Sequence, residues 1–202
     1  FTQTVEYLHT KGGVGFIAPW NYPLSMAVSD PIPALLAGNC AVLKPAEETP
    51  FTALYAASLL YEAGLPRDVF HIVTGKGRII GPVLLTGIDF LGFTGGTSTG
   101  RKLAAQAGEK LIKCSMELGG KNPAIVLDDA DFENTVKGVQ QAAFASAGQL
   151  CIHAERLYLQ EGIHDRFVKA LVQRVSGMKL STALEFDVDM GSLISQEQFD
   201  KV

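Results

Sequence analysis

Phe90-Leu91-Gly92-Phe93-Thr94-Gly95-Gly96-Thr97-Ser98-Thr99-Gly100 is an apolar run that ends in small residues and passes directly into an amphipathic stretch. A short apolar run bounded in this way reads as a buried strand over residues 90–93, and the residues after it predict a helix over 97–107. Gly100 lowers the helix propensity of the first turn. The same alternation extends on both sides over residues 12–118, with strands expected at 14–18, 40–43, 69–73 and 111–116. Several of these are apolar enough to be buried on both faces, which is the mark of a parallel sheet covered by helices. The expected fold is therefore α/β with a doubly wound parallel sheet. The helix after residues 40–43 carries its own punctuation: Thr49 to cap it, Pro50 at its first position, Leu54, Ala57, Leu60 and Tyr61 as its apolar face, and Gly64 with Pro66 as its stop.

A second βα pattern follows Gly119-Gly120. Residues 124–127 read as a strand, and Phe132, Val136, Val139 and Ala143 share one face of a helix over 131–147 that Gly148 ends. A further strand is expected at 156–159. The helix after it has Phe167, Val168, Leu171, Val172 and Val175 as a wide buried stripe, and a last helix starts after Ser195. A boundary near Gly119-Gly120 divides the chain into domains 1–119 and 120–202.

The 202 residues are 47% hydrophobic and 19% charged with 21 Gly, which excludes a disordered or collagen-like chain. A net charge of −4, with Lys and Arg scattered singly, leaves no basic stripe for a nucleic-acid backbone. No window approaches the roughly 18 consecutive apolar residues of a membrane helix, and Phe1-Thr2-Gln3-Thr4 lacks the basic start and apolar run of a signal peptide. A cytoplasmic protein is expected. Cys40, Cys114 and Cys151 are odd in number and lack CxxC spacing, so neither a disulfide framework nor a metal site is suggested. The chain opens without Met and stops at Asp200-Lys201-Val202 inside a predicted helix, so both ends read as cut.

Three segments offer chemistry. Gly148-Gln149-Leu150-Cys151 sets a cysteine just past a helix stop, although free Cys alone is more often an inert buried residue. Met116-Glu117-Leu118-Gly119-Gly120 sets a carboxylate at the carboxyl end of a strand, where open α/β sheets build their sites; it reads either as a poised base or as a surface Glu. Ala18-Pro19-Trp20-Asn21-Tyr22-Pro23 follows the first strand, and Asn21 offers either a side-chain amide to a site or turn chemistry.

Taken together, Pro19-Trp20-Asn21, Leu43-Lys44-Pro45-Ala46-Glu47, Phe93-Thr94-Gly95-Gly96, Glu117-Leu118-Gly119-Gly120-Lys121 and Gly148-Gln149-Leu150-Cys151 resemble, in order and spacing, the aldehyde dehydrogenase family, over nearly the whole chain. The resemblance implies a Rossmann-like dinucleotide-binding domain followed by the start of an α/β catalytic domain. It implies oxidation of an aldehyde by NAD or NADP, with Cys151 as nucleophile through a thiohemiacetal and a thioester. Asn21 and the Cys151 backbone N–H would hold the oxyanion, and Glu117 would activate the hydrolytic water. Ile17, Ala18, Pro19, Trp20 and Leu118 match dinucleotide contacts, Lys44 and Glu47 the adenosine-ribose contacts, and Gly95 and Gly96 the pyrophosphate segment. A carboxylate at Glu47 opposes a 2′-phosphate while Lys44 attracts one, a balance that favours NAD slightly. Gly96 stands where the family commonly has Ser, which removes one hydroxyl contact. The family's acidic nicotinamide-ribose contact falls after Val202. Residues 29–39 and 146–152 are most similar to the succinate-semialdehyde-oxidising branch, and His153 replaces the second Cys that some of its members carry. The resemblance further implies a homo-oligomer acting on a small aldehyde.

Two alternatives stand beside it: a Cys hydrolase pairing Cys151 with His9, His71, His153 or His164, and a non-catalytic truncated fragment. A phosphate-binding P-loop at residues 95–100 is excluded, because Arg101 and Lys102 occupy the places where Lys and then Ser or Thr are required.

Overall fold

The computed structural model describes residues 4–183 and 187–202; Phe1, Thr2 and Gln3, part of the signal-peptide reading, lie outside them. The chain divides into two compact units, Phe1–Leu118 and Gly119–Val202.

The first unit holds five parallel strands, β1 (Gly13–Ile17), β2 (Cys40–Lys44), β3 (Phe70–Ile72), β4 (Phe90–Gly95) and β5 (Lys113–Leu118), in the order β3-β2-β1-β4-β5. The chain winds outward from β1 in one direction and from β4 in the other. The doubly wound α/β expectation is met, and the reversal between β1 and β4 is the place where such sheets open a crevice at their carboxyl ends.

The helices are α1 (Pro23–Val28), α2 (Pro31–Leu36), α3 (Pro50–Glu62), α4 (Gly77–Leu84) and α5 (Thr97–Glu109). Because side chains alternate along a strand, two cores form on opposite faces of the sheet. Val14 and Phe16 pack with Ala27 of α1 and Ala53, Ala56 and Ala57 of α3. Ile17, Leu91 and Phe93 pack instead with Leu103 and Ala107 of α5. Gly100 proves to be a packing residue: a Cβ there would lie 2.6 Å from Leu118 Cδ2 and 3.3 Å from the Phe93 ring. Its propensity penalty is offset by close approach of α5 to the sheet.

Three local expectations are corrected. Thr49 stands at the N-cap of α3, but its backbone (φ −135°, ψ 45°) is turned away from the extended conformation that lets a cap reach back. Its buried hydroxyl has no hydrogen-bond partner among the described residues. Leu54 faces outward, and the buried side of α3 is made by its alanines. Leu111 is not in a strand: with φ +56° it turns the chain from α5 into β5, and it is exposed.

In the second unit, β6 (Pro123–Val126) and β7 (Arg156–Leu159) pair in parallel. They enclose α6 (Phe132–Phe144), and α7 (His164–Ser176) follows them. Asp131 caps α6 by accepting from Asn134 N. Val126, Val136, Val139, Ile163 and Phe167 form the core, with Ala170 and Leu171 against it. Val168 and Val172 are exposed, so the buried stripe of α7 is narrower than its composition suggests. The last helix, α8 (Gln196–Lys201), starts at Ser195, whose hydroxyl accepts from Gln198 N. Among the described residues no helix is long and apolar enough to cross a membrane.

Candidate active site

The first unit gathers its predicted residues at one edge of its sheet. Ile17, Lys44, Gly95 and Leu118 are the last residues of β1, β2, β4 and β5, four neighbouring strands. The ladder fixes this: Ile17 is opposite Lys44 and Gly95 is opposite Leu118. Ala18, Pro19, Trp20 and Asn21 continue from β1 into the loop before α1, and all four are half-buried.

Lys44 is 3% exposed, and its Nζ donates to Pro45 O at 2.6 Å. Burial pushes its ammonium below the ordinary lysine range, and the negative charges of Glu47 and Glu48 oppose that shift. Glu47 Oε1 accepts from Gly77 N at 2.7 Å, so this carboxylate is held at the N-terminus of α4. A Cβ at Gly77 would come within 3.7 Å of Lys44 Cε, so Lys44, Glu47 and the start of α4 converge at one point. Gly77 was not among the predicted residues; the Gly75-Lys76-Gly77 run after β3 was the available signal. Gly96 precedes α5 and has open space where a side chain would be, so the helix N-terminus is approachable by a large ligand.

Glu117 is exposed, not buried, and lies opposite Thr94. It lines a cleft of about 340 Å³ together with Phe16, Asp30, Pro33, Thr94 and Ser115. Asp30 is held above the ordinary carboxylate range, first by partial removal from water and then by the charge of Glu117. Leu118 turns its side chain the other way, onto Gly100.

The second unit carries Cys151, exposed, on the connection from α6 to β7. Helix α6 stops at Phe144, earlier than expected, because Ser146 (φ 53°, ψ 33°) and Ala147 (φ 57°, ψ 33°) take the left-handed conformation and Gly148 follows at φ 70°. Left-handed backbone is disfavoured for residues with a Cβ by roughly 1–2 kcal/mol each, so the surroundings must hold it. Around Cys151 the connection is held by Asn122, which the sequence did not single out, and by His153, which it offered only as a hydrolase partner of Cys151. Asn122 Nδ2 donates to Cys151 O at 2.6 Å and to His153 O at 3.0 Å, while Asn122 O accepts from Glu155 N and Arg156 N. The His153 ring bonds through Nδ1 to Leu150 O, and its Nε2 lies 3.7 Å from Glu155. Lys121 pairs with Glu155 and, by that hydrogen bond, keeps its carboxyl below the usual range. Thus Asn21 and Glu117 belong to the first unit and Cys151 to the second.

Among the described residues no group of three or more His, Cys, Asp or Glu side chains could hold a metal ion. Comparison with known proteins identifies the family. The aldehyde dehydrogenase family profile matches residues 2–202. The chain is 49% identical over 200 residues to a putative succinate-semialdehyde dehydrogenase [NADP(+)] of Mycolicibacterium smegmatis, covering 99% of this chain and 39% of that protein. It is 50% identical over 200 residues to a counterpart in Mycobacterium tuberculosis, again covering 99% and 39%. Among solved structures, an NADP-dependent enzyme of E. coli superposes with a TM-score of 0.92 at 42% identity, over 95% of this chain and 40% of that one. Betaine aldehyde dehydrogenase of Staphylococcus aureus in complex with NAD+ gives 0.92 at 38% identity, over 95% and 39%. The chain therefore spans about two fifths of the length of these relatives. The match of the family profile across nearly every residue, on a parallel sheet whose motif residues end its strands, shows that this chain belongs to the aldehyde dehydrogenase family.

Proposed function

We propose that this chain is the dinucleotide-binding and thiol-bearing portion of an NAD(P)-dependent enzyme that oxidises succinate semialdehyde to its carboxylate. The observation that carries the reading is the placement of Ile17, Lys44, Gly95 and Leu118 at the carboxyl ends of four adjacent parallel strands, where open α/β sheets take dinucleotides. The names of relatives at about 50% identity support the aldehyde. Residues 1–119 serve the cofactor and 120–202 begin the catalytic domain.

NAD(P)+ supplies the hydride acceptor. Ile17, Ala18, Pro19, Trp20 and Leu118 would hold it, Gly95 and Gly96 would offer the N-terminus of α5 to its pyrophosphate, and Lys44 and Glu47 would take the adenosine ribose. The residues present fit such a group: Lys44 and Glu47 converge beside α4, and nothing fills the space at Gly96. The fixed carboxylate of Glu47 opposes a 2′-phosphate, which favours NAD.

Cys151 Sγ, as thiolate, bonds to the aldehyde carbon, and the carbonyl electron pair moves onto oxygen, where Asn21 Nδ2 and Cys151 N–H donate to it. Exposure of Cys151 leaves the thiol accessible to substrate. After oxidation to the thioester, Glu117 takes a proton from water, the resulting hydroxide attacks the thioester carbon, and the thiolate of Cys151 leaves. The full protein is a cytoplasmic homo-oligomer in this reading.

The full-length protein, assayed on a panel of aldehydes with NAD+ and with NADP+, tests the proposal. NAD(P)H formation fastest with succinate semialdehyde is expected. No turnover of any aldehyde, or unchanged turnover by Cys151→Ala, sinks it.

A further inference from the structure

Cys151 sits between two peptide units, and each is held by a different side chain. The unit joining Leu150 to Cys151 carries the Leu150 carbonyl and the Cys151 N–H, which point in opposite directions because the peptide is planar and trans. His153 bonds to that carbonyl through Nδ1. A carbonyl only accepts, so Nδ1 carries the proton and donates. The next unit, joining Cys151 to Ile152, carries the Cys151 carbonyl, which accepts from Asn122 Nδ2 at 2.6 Å. Two fixed planes on either side of one Cα fix its φ and ψ, and with them the direction of the Cα–Cβ bond that carries Sγ.

We infer that His153 and Asn122 are positioning residues for the nucleophile, His153 by aiming the Cys151 N–H at the developing oxyanion and Asn122 by locking the following peptide. This rests on the reading of Cys151 as nucleophile. The clamp has its own supports. Asn122 is tied to the start of β6 and to β7, since its carbonyl accepts from Glu155 N and Arg156 N. The Arg156 Nε donates to Lys121 O at 2.9 Å, and Lys121 pairs with Glu155, which faces His153 Nε2. The ring is held through Nδ1 on Leu150 O, while Nε2 lies 3.7 Å from Glu155 Oε1, beyond hydrogen-bond reach. Both the Nδ1-protonated neutral imidazole and the imidazolium donate through Nδ1, so the grip does not depend on the charge of His153.

The hydrogen bond from His153 also polarises the Leu150–Cys151 peptide. A donor whose carbonyl already accepts a hydrogen bond is the stronger donor, which suits an oxyanion better than a neutral carbonyl. The step served is the addition itself: Sγ bonds to carbon, the π pair moves to oxygen, and Cys151 N–H receives that charge.

The experiment compares the full-length wild-type enzyme with His153→Leu, His153→Asn, Asn122→Leu and Cys151→Ala. Three quantities are read: kcat/KM for aldehyde, the rate of Cys151 alkylation by iodoacetamide at the same pH, and the dinucleotide Kd. Alkylation builds no oxyanion, so it separates donor orientation from thiol access. His153→Leu is expected to lower kcat/KM about tenfold or more while alkylation stays within about twofold. His153→Asn, which restores a donor near the Nδ1 position, is expected to recover to within about threefold of wild type. Asn122→Leu is expected to lower both rates, because the whole loop loosens. Unchanged kcat/KM in His153→Leu overturns the inference, as does an equal fall in alkylation and aldehyde turnover. Full activity in Cys151→Ala is a different failure, which removes the nucleophile reading and not the clamp.

Discussion

The two units position their candidate site residues by different means. In the first, Ile17, Lys44, Gly95 and Leu118 are placed by the backbone ladder, and any side chain at those positions would sit at the same edge. In the second, Cys151 lies on a connection with no ladder, and it is placed by side-chain hydrogen bonds from Asn122 and His153. A dinucleotide spans many atoms and is well served by a rigid edge. A nucleophile needs one atom aimed within a fraction of an ångström, which calls for dedicated supports.

That contrast can be broken most severely at the thiol. Cys151→Ala in the full-length protein is expected to lower aldehyde oxidation by on the order of 10⁴ or more while dinucleotide binding by calorimetry is retained. Loss of binding alongside activity would mean that the two units do not separate their tasks. Glu117→Gln is expected to leave a first burst of NAD(P)H but slow steady turnover by about 10²–10⁴. Stopped-flow absorbance reads the burst, and its disappearance would place Glu117 before the thioester.

Smaller effects sharpen the ladder side. Gly100→Ala inserts a methyl group 2.6 Å from Leu118 Cδ2, and a destabilisation of about 1–3 kcal/mol in thermal or urea unfolding is expected. A neutral result would show that α5 can shift at little cost. Glu47→Ser removes the carboxylate that Gly77 N holds, and the ratio of kcat/KM for NADP+ over NAD+ should rise by roughly fivefold to tenfold. An unchanged ratio would remove Glu47 from cofactor choice.

Legibility in the sequence followed the range of the interaction. Strand β7 was expected at 156–159 and is found at Arg156–Leu159, because its apolar alternation is local. The α3 helix starts at Pro50 as its punctuation indicates, yet Thr49 fails to cap it, since the cap depends on a backbone rotation that no residue type dictates. Leu111 reads as the start of a strand by apolarity alone, but the end of α5 needs a turning residue and takes it in the left-handed conformation. Val168 and Val172 illustrate the same limit: they are apolar at helical spacing, and only the placement of neighbouring elements decides which residues are covered. Asn122 carries no signal in the sequence, and His153 reads there only as a hydrolase partner for Cys151, because each acts on a backbone carbonyl and carbonyl orientation leaves no mark in residue identity.

The sequence by itself determined the alternation of strands and helices, the family, and the residue types at the candidate site, because apolar periodicity, glycine and proline punctuation and ordered motifs are carried by the chain in one dimension. Tertiary structure alone decided that Lys44 is buried with its ammonium on Pro45 O, that Glu117 shares a cleft with Asp30, and that Cys151 stands between two clamped peptides. The physical reason is that burial, neighbouring charge and carbonyl direction are properties of pairs of residues far apart in the chain. Asn122 and Cys151 are 29 positions apart and meet only when β6 and β7 pair.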